Sequence, residues 1–175
     1  MDDDFPQQMR AIWAPWRVEY FEQPRPDNNA GGGDFLTAAA QTSDDAAHLV
    51  VLRRKSAFLL MNRYPYSNGH LMAVPYRKAA DLADLNAEEK SELWTLAEAA
   101  QKLLRATVHA QGFNIGLNLG ACAGAGVPDH LHLHIVPRWA GDVNFMPVLG
   151  ATRVIPQGLQ PLYEKLIQAR GELGL

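Results

Sequence analysis

The chain lacks the features that mark several large classes of protein. A single cysteine among 175 residues excludes an internal disulfide framework and a metal cage built from several cysteines. Sixteen basic and nineteen acidic side chains leave a formal net charge of −3, so no basic excess favours long nucleic acid or anionic membranes. No apolar run approaches the roughly 18 residues of a membrane span, and the acidic N-terminus precedes no secretory signal. These absences predict a cytoplasmic protein that contacts neither membranes nor long nucleic acid.

The composition is that of an ordinary globular chain. Apolar residues make up 47% and charged residues 20% of the sequence, and domains typically hold about 100–200 residues. Residues 10–21 are rich in aromatic side chains, whereas residues 23–47 are rich in proline, glycine and small polar residues, which favours an exposed and partly mobile connection. We therefore expect an N-terminal arm and flexible connection over residues 1–47 and one globular domain over residues 48–175.

Short apolar runs predict the strands. Residues 49–53 and 57–62 read as a hairpin, and residues 70–75, 113–119 and 130–137 read as three further strands. These segments come mostly in hairpins, so the pattern predicts an α+β fold with a mainly antiparallel sheet.

Two helices are predicted beside that sheet. Asn86 and Glu89 have the spacing of a capping box, and the apolar period that follows predicts a helix of about 25 residues, stopped by Gly112. A last helix is expected after Pro156, through about Ala169.

Three of the six histidines lie within five residues, at His130, His132 and His134. Alternation along a strand predicts that the three rings share one face, while Leu131 and Leu133 face the core. Such a face has three interpretations. A neutral imidazole is a nucleophile towards phosphorus near neutral pH, three imidazoles can hold a metal ion, and a polar strand face can simply meet solvent.

A glycine-rich loop directly precedes this cluster. Gly120, Gly124 and Gly126 let backbone N–H groups approach a ligand closely, and such concave loops favour anions. A glycine-rich loop alone is usually a flexible turn, but one that feeds into a histidine cluster brings anion-binding amides beside nucleophilic nitrogens. The combination favours phosphorus chemistry among the three interpretations.

Two motifs carry a resemblance to a known family. Residues 124–137, GAGVPDHLHLHIVP, resemble the His-x-His-x-His motif of the histidine triad superfamily. Residues 62–70, NRYPYSNGH, resemble the second signature of that superfamily, about sixty residues earlier. The flanking stretches IWAPWR (residues 12–17) and RWAGDVNFMP (residues 138–147) are similar to a bacterial branch that includes the diadenosine tetraphosphate phosphorylases. The resemblance covers residues 48–147.

The resemblance implies a fold, an assembly and a reaction. The fold would be the histidine triad fold, with about five antiparallel strands, one long helix and a C-terminal helix, in a homodimer. His132 would attack the α-phosphorus of a nucleotide through one ring nitrogen, while the other donates to a backbone carbonyl. His134 and His70 would position His132 and the phosphate, and His130 would lie near the leaving group.

The resemblance also implies a nucleotide site without a metal ion or other cofactor. Asn62 would contact the ribose, and Phe58 and Leu60 would line the base pocket. The phosphate oxygens would be held by one amide side chain and three loop residues, Asn118, Gly124, Ala125 and Gly126.

Two departures from the family pattern stand out. Bacterial relatives often carry a zinc site that begins with a Cys-x-x-Cys pair, but residues 33–36 read GDFL here, and Lys78 replaces a histidine, so we expect no structural zinc. Many hydrolytic members also have a serine in the loop before the triad. This chain has no hydroxyl among residues 124–129, which leaves the leaving-group preference open.

Three functions remain open from the sequence. The first is a nucleotide hydrolase or nucleotidyltransferase that acts on dinucleoside polyphosphates or nucleoside phosphoramidates. The second is a diadenosine tetraphosphate phosphorylase that uses inorganic phosphate. The third is a purine-nucleotide binding module with vestigial activity.

Overall fold

A five-stranded antiparallel sheet forms the centre of the computed structural model, which describes residues 35–142 and 155–175. The strand order is β1-β2-β3-β5-β4. The strands are β1 (Val50–Arg53), β2 (Ala57–Met61), β3 (Leu71–Pro75), β4 (Gly112–Leu117) and β5 (Leu133–Arg138). The predicted α+β fold with an antiparallel sheet of five strands is confirmed.

The central strands are buried on both faces. Every residue of β2 and β3 is buried, so these strands read as continuous apolar runs rather than as an alternation. Leu59 and Met61 belong to the larger core cluster on one face, and Phe58 and Leu60 belong to a second cluster on the other. Two buried faces require two covering layers.

Two helices cover the first face. The long helix α3 (Ala87–Val108) begins at the predicted capping box, in which Asn86 and Glu89 exchange hydrogen bonds of 2.9 Å, and its buried residues recur at helical spacing. It ends before Gly112, at His109, which adopts a left-handed conformation with φ of 53°. The C-terminal helix α4 (Leu159–Glu172) packs beside it and runs three residues beyond the predicted end.

Two short helices cover part of the second face, where the sequence predicted an exposed connection. These are α1 (Phe35–Gln41) and α2 (Asp45–His48). Leu36 and Ala39 of α1 are fully buried in the second cluster, so the prediction of an exposed connection is wrong for this part of the chain. The signal is weak in the sequence because a seven-residue helix with two buried positions shows no clear period. The arm over residues 1–34 lies outside the described residues, and the predicted division at residue 47 stays a prediction.

Arg53 fastens these helices to the sheet. Its guanidinium donates hydrogen bonds of 2.9 Å to the carbonyls of Ala39 and Thr42, and it pairs with Asp45 at 2.8 Å. The last carbonyl groups of a helix have no hydrogen-bond donor within that helix, and the Arg53 side chain supplies one for the end of α1. One residue of β1 thereby holds α1 in place over the second face.

The strand that carries the triad begins later than predicted. β5 starts at Leu133 rather than at His130, because Leu131 N–H donates to the Ala79 carbonyl at 2.7 Å and not to a neighbouring strand. Of the three triad histidines, only His134 therefore lies within the strand.

Within the described residues, no helix is both long and apolar enough to cross a membrane.

Gly69 allows the sharp turn between β2 and β3, and its replacement tests that turn. Its φ is +78°, and an added Cβ would lie 2.8 Å from a methyl group of the fully buried Leu104. Because alanine is strained in this backbone region, we expect Gly69→Ala to lower the free energy of unfolding by about 1–2 kcal/mol in urea titrations.

Gly171→Ala is the matched control for the same change. Gly171 lies in the last turn of α4, has ordinary helical surroundings, and has no atom within 4 Å of an added Cβ. Alanine favours helix over glycine, so this variant should be unchanged or more stable by about 0.5 kcal/mol. A Gly69→Ala protein as stable as the wild type would contradict the assigned turn.

Candidate active site

Three imidazoles meet on the second face of the sheet, where His70 directly precedes β3, His132 directly precedes β5 and His134 lies in β5. His134 pairs in register with Met72 of β3, and its ring centroid lies 5.0 Å from that of His70 and 4.7 Å from that of His132. All three rings are buried, with His132 the most exposed at 8%. The sequence predicted that His130, His132 and His134 share a face, and the family resemblance implied that His70 joins them; in the structure His70, His132 and His134 lie together.

A backbone carbonyl fixes the protonation of His132. Its Nδ1 lies 2.8 Å from the carbonyl oxygen of His130, and a carbonyl only accepts, so Nδ1 carries the proton. The Nε2 atom of the neutral ring therefore keeps its lone pair. Burial lowers the pKa of His132, although the bond to His130 opposes that effect, so the neutral ring is favoured. The bond from Nδ1–H to the His130 carbonyl is the backbone contact that the family resemblance implied for His132.

The protons of the other two rings follow by elimination. The backbone N–H of Tyr66 donates to His70 Nδ1 at 3.1 Å, so the proton of neutral His70 is on Nε2. His70 Nε2–H then donates to His134 Nδ1 at 2.9 Å, which leaves the proton of His134 on its own Nε2. Two hydrogen bonds thus determine which nitrogen carries the proton in His70 and in His134.

The Nε2–H of His134 lies beside a second donor. Asn118 Nδ2 lies 3.3 Å from His134 Nε2, just beyond the end of β4. With the amide in this orientation both nitrogens carry hydrogen, and an anionic oxygen beside the pair would accept from both. The pKa of His134 is lowered to about 4, first by burial and then by the nearby His132, so the ring acts as a neutral donor at physiological pH.

The ring of His130 is enclosed by the protein, and its expected place near a leaving group stays a prediction. The ring is fully buried, its Nε2–H donates to the Pro75 carbonyl at 2.8 Å, and its Nδ1 lies 3.5 Å from the Thr37 hydroxyl. Both ring nitrogens therefore face protein groups, one of them on α1. In this arrangement His130 reaches the site through its backbone carbonyl, which accepts from His132, and not through its ring.

Phe58 and Leu60 were expected to line a base pocket, but both are buried in the structure. They are 0% and 1% exposed, because α1 covers the second cluster in which they lie. The Phe58 ring packs against Tyr76 with centroids 5.2 Å apart, and the Arg53 guanidinium lies 5.5 Å from its centroid. The structure thus gives these two side chains no open surface towards a base.

Asn62 is used within its own loop. Its Oδ1 accepts from the Tyr64 N–H at 2.9 Å, and its Nδ2 lies 3.2 Å from His70 Nδ1. With only 7% of the residue exposed, Asn62 orients His70 in the structure, and its contact with a ribose stays a prediction.

The glycine-rich loop closes on itself over part of its length. Residues Ala121–Ala123 form a single 3-10 turn, the Gly124 N–H donates to the Ala121 carbonyl at 3.0 Å, and the Ala125 N–H donates to the Gly120 carbonyl at 3.3 Å. Two of the three amides expected to hold phosphate are thus occupied, and Gly126 is the remaining candidate. Its surroundings are open, with no atom within 4 Å of an added Cβ.

Sequence reasoning missed two contributors to the site. Thr37 lies in the segment that was expected to be an exposed connection, and it contacts His130 only because α1 packs over the sheet. Tyr66 lies inside the second signature, but nothing in the sequence indicated that its ring would pack on His70 and His134. Within the described ranges, no three histidine, cysteine or acidic side chains are arranged to hold a metal ion.

The lowered pKa of His134 predicts a pH-dependent stability. An unfolded histidine takes up a proton near pH 6.5, whereas the folded ring does so only near pH 4. Stability should therefore fall as the pH drops through this window and level off below it, a contribution of about 3 kcal/mol. Urea titrations of His134→Gln should show a loss between pH 7 and pH 4 that is smaller than the wild-type loss by this amount.

The exposed His109 supplies the control. His109→Gln should retain the wild-type dependence, because its ring is exposed at the end of α3. If the His134→Gln and wild-type curves run parallel, His134 is not held neutral by the fold.

Comparisons with known proteins identify the family of the chain. The family model described as HIT domain matches residues 44–141. A Mycobacterium tuberculosis protein named AP-4-A phosphorylase is 40% identical over 156 residues, which are 87% of this chain and 80% of that protein. A Schizosaccharomyces pombe protein named bis(5'-nucleosyl)-tetraphosphatase (asymmetrical) is 34% identical over 92 residues, 53% of this chain and 50% of that one.

A solved structure supports the fold independently. The zinc-bound histidine triad family protein from Mycobacterium smegmatis superposes with a TM-score of 0.60 at 24% identity, over 72% of this chain and 86% of that one. The family model covers more than half of the sequence, including all three triad histidines and His70. The chain therefore belongs to the HIT domain family.

Proposed function

We propose that the protein transfers a nucleotidyl group from a dinucleoside polyphosphate through a covalent adduct on His132. The observation that carries this proposal is the 2.8 Å bond from His132 Nδ1–H to the His130 carbonyl. It fixes the one tautomer in which Nε2 has a lone pair, and burial keeps that ring neutral. Such a nitrogen is a competent nucleophile towards phosphorus at neutral pH.

The reaction has two balanced displacements. His132 Nε2 forms a bond to the α-phosphorus, and the bond from that phosphorus to the bridging oxygen breaks, with its electron pair leaving on the released nucleotide. An acceptor oxygen then attacks the same phosphorus, the P–N bond breaks, and its electron pair returns to Nε2. The acceptor loses its proton to solvent or to a neighbouring base, and the ring is restored in its original tautomer.

Donors beside the nucleophile would stabilise the charge on the phosphoryl oxygens. The donor nitrogens of His134 and Asn118 lie 3.3 Å apart, and an oxygen beside the pair would accept from both. Because these groups are already in place, little reorganisation is needed as negative charge develops.

The relatives narrow the substrate class. The mycobacterial relative matches 87% of this chain, and that protein is named AP-4-A phosphorylase. We therefore take diadenosine tetraphosphate as the test substrate and inorganic phosphate as the favoured acceptor, with water as the alternative. Release of the first product would give ATP, and transfer to phosphate would give ADP.

Intact-mass spectrometry tests the adduct. Wild-type protein mixed with diadenosine tetraphosphate and denatured at alkaline pH, where phosphoramidates survive, should gain the mass of one adenylyl group. His132→Gly should gain none, because it lacks the attacking nitrogen, and His109→Gln should behave as the wild type. Wild-type protein that binds the nucleotide without forming an adduct or products would support the binding-module alternative instead.

The same adduct distinguishes the acceptors. After removal of free nucleotide, added phosphate should discharge the adduct to ADP at a rate that rises with phosphate concentration. Discharge to AMP at a rate independent of phosphate would show that the protein is a hydrolase, and would contradict only the choice of acceptor.

We further propose that two copies of the chain pair through the β4 edge of the sheet. β4 is the last strand in the order, so one of its edges has no strand beside it among the described residues. An apolar cavity of about 350 Å³ lies near its end, lined by Leu82, Lys90, Leu93, Trp94, Leu117 and Leu133. Trp94 is 58% exposed, so an interface continuous with the edge strand would cover a large apolar side chain.

Light scattering tests the assembly. The wild type should elute with twice the chain mass of 19.3 kDa. Trp94→Lys should shift the equilibrium towards monomer by at least tenfold, because it places a charge in the apolar interface. Lys102→Gln, an exposed change on the same helix, is the control. A wild-type mass of one chain would contradict the pairing.

A further inference from the structure

The loop before the triad carries no hydroxyl, but the structure brings one to the site from elsewhere. Residues 124–129 lack serine, threonine and tyrosine. Tyr66, in the loop between β2 and β3, places its hydroxyl oxygen 3.3 Å from Asn118 Nδ2. The same Nδ2 atom lies 3.3 Å from His134 Nε2. A phenol from one loop and an imidazole from β5 therefore share a single amide neighbour.

The ring of Tyr66 is held in this position by the site itself. Its centroid lies 4.6 Å from that of His70 and 5.4 Å from that of His134, and its backbone N–H donates to His70. Two ring contacts, one side-chain contact and one backbone bond fix its orientation. A side chain held in this way loses little further conformational entropy when it binds a ligand.

Tyr66 lies on the solvent side of the buried imidazoles. It is 42% exposed, whereas His70 is 1% and His134 is 6% exposed. The departing part of a dinucleoside polyphosphate carries further phosphates and a second nucleoside, so it must extend from the buried nucleophile towards solvent. The phenol hydroxyl lies at this transition, beside the Asn118 amide, which the proposed function assigns to a phosphate oxygen.

We propose that Tyr66 is a further catalytic residue, whose hydroxyl donates a hydrogen bond to the phosphate chain of the leaving group. This inference rests on the proposed function. When the bond from the α-phosphorus to the bridging oxygen breaks, the electron pair and the negative charge move to the leaving phosphate. The phenol stabilises that charge through a hydrogen bond and keeps its proton, so no proton transfer is required. It thus replaces, from a different loop, a hydroxyl that the glycine-rich loop lacks.

Two substrates distinguish a contact of Tyr66 with the leaving group from an effect of Tyr66 on the shared adenylyl site. Diadenosine tetraphosphate has a leaving group made of phosphates, whereas the para-nitrophenyl ester of adenylate has a leaving group without any phosphate. Both place the same adenylyl group at His132. Only the first gives the Tyr66 hydroxyl a leaving phosphate to contact.

Single-turnover rates of adduct formation at saturating substrate provide the measurement. Tyr66→Phe keeps the ring and the backbone N–H and removes only the hydroxyl. With diadenosine tetraphosphate its rate should fall about tenfold or more, as expected for the loss of one hydrogen bond to a charged group. With the para-nitrophenyl ester its rate should stay within about twofold of the wild type.

Tyr64→Phe is the matched control. Tyr64 lies two residues earlier in the same loop and is 73% exposed, so removal of its hydroxyl should change neither rate. Equal losses on both substrates in Tyr66→Phe would show that the hydroxyl acts on the shared adenylyl site through Asn118, and would overturn the proposal. No loss on either substrate would overturn it as well. A wild type that reacts with neither substrate would overturn the proposed function itself, a separate result.

Discussion

The hydrogen bond from His132 to the carbonyl two residues earlier determines which nitrogen of that ring carries the proton. A neutral histidine can carry its proton on either ring nitrogen, and only the Nδ1 form leaves a lone pair on Nε2. The carbonyl of His130 selects that one at 2.8 Å. Its own position depends on the His130 ring, which is anchored to the Pro75 carbonyl at 2.8 Å. The position of the proton on His132, the proposed nucleophile, thus depends on how the neighbouring His130 is packed.

A second set of contacts extends this control to the neighbouring rings. The backbone N–H of Tyr66 sets the proton of His70, and His70 sets the proton of His134. His132 faces a backbone carbonyl that only accepts and His70 faces a backbone N–H that only donates, and His70 then defines His134, so the three neutral rings hold one consistent arrangement. Because burial disfavours the charged form of each shifted ring, that arrangement persists near neutral pH.

Because helices cover both faces of the sheet, two residues that were expected to line the site are buried. Helix α1 buries Phe58 and Leu60, so these residues form core rather than an open pocket. It also brings the Thr37 hydroxyl to the His130 ring. The same short helix therefore helps to bury two residues that were expected to line a base pocket, and it contacts His130 through Thr37. Arg53 of β1 holds it there through two carbonyls and one carboxylate.

The sequence by itself determined the family, the α+β class, the long helix with its capping box and the central histidines. These features are local, because residue spacing along a strand or helix sets which side chains share a face. The tertiary structure alone decided which ring nitrogens carry protons, that the His130 ring is enclosed, that α1 covers the second face, and that Tyr66 lies over His70 and His134. Each of these depends on contacts between residues distant in the chain, such as Thr37 with His130 and Tyr66 with Asn118. No periodicity encodes such contacts, because they exist only once the sheet has brought its strands and loops together.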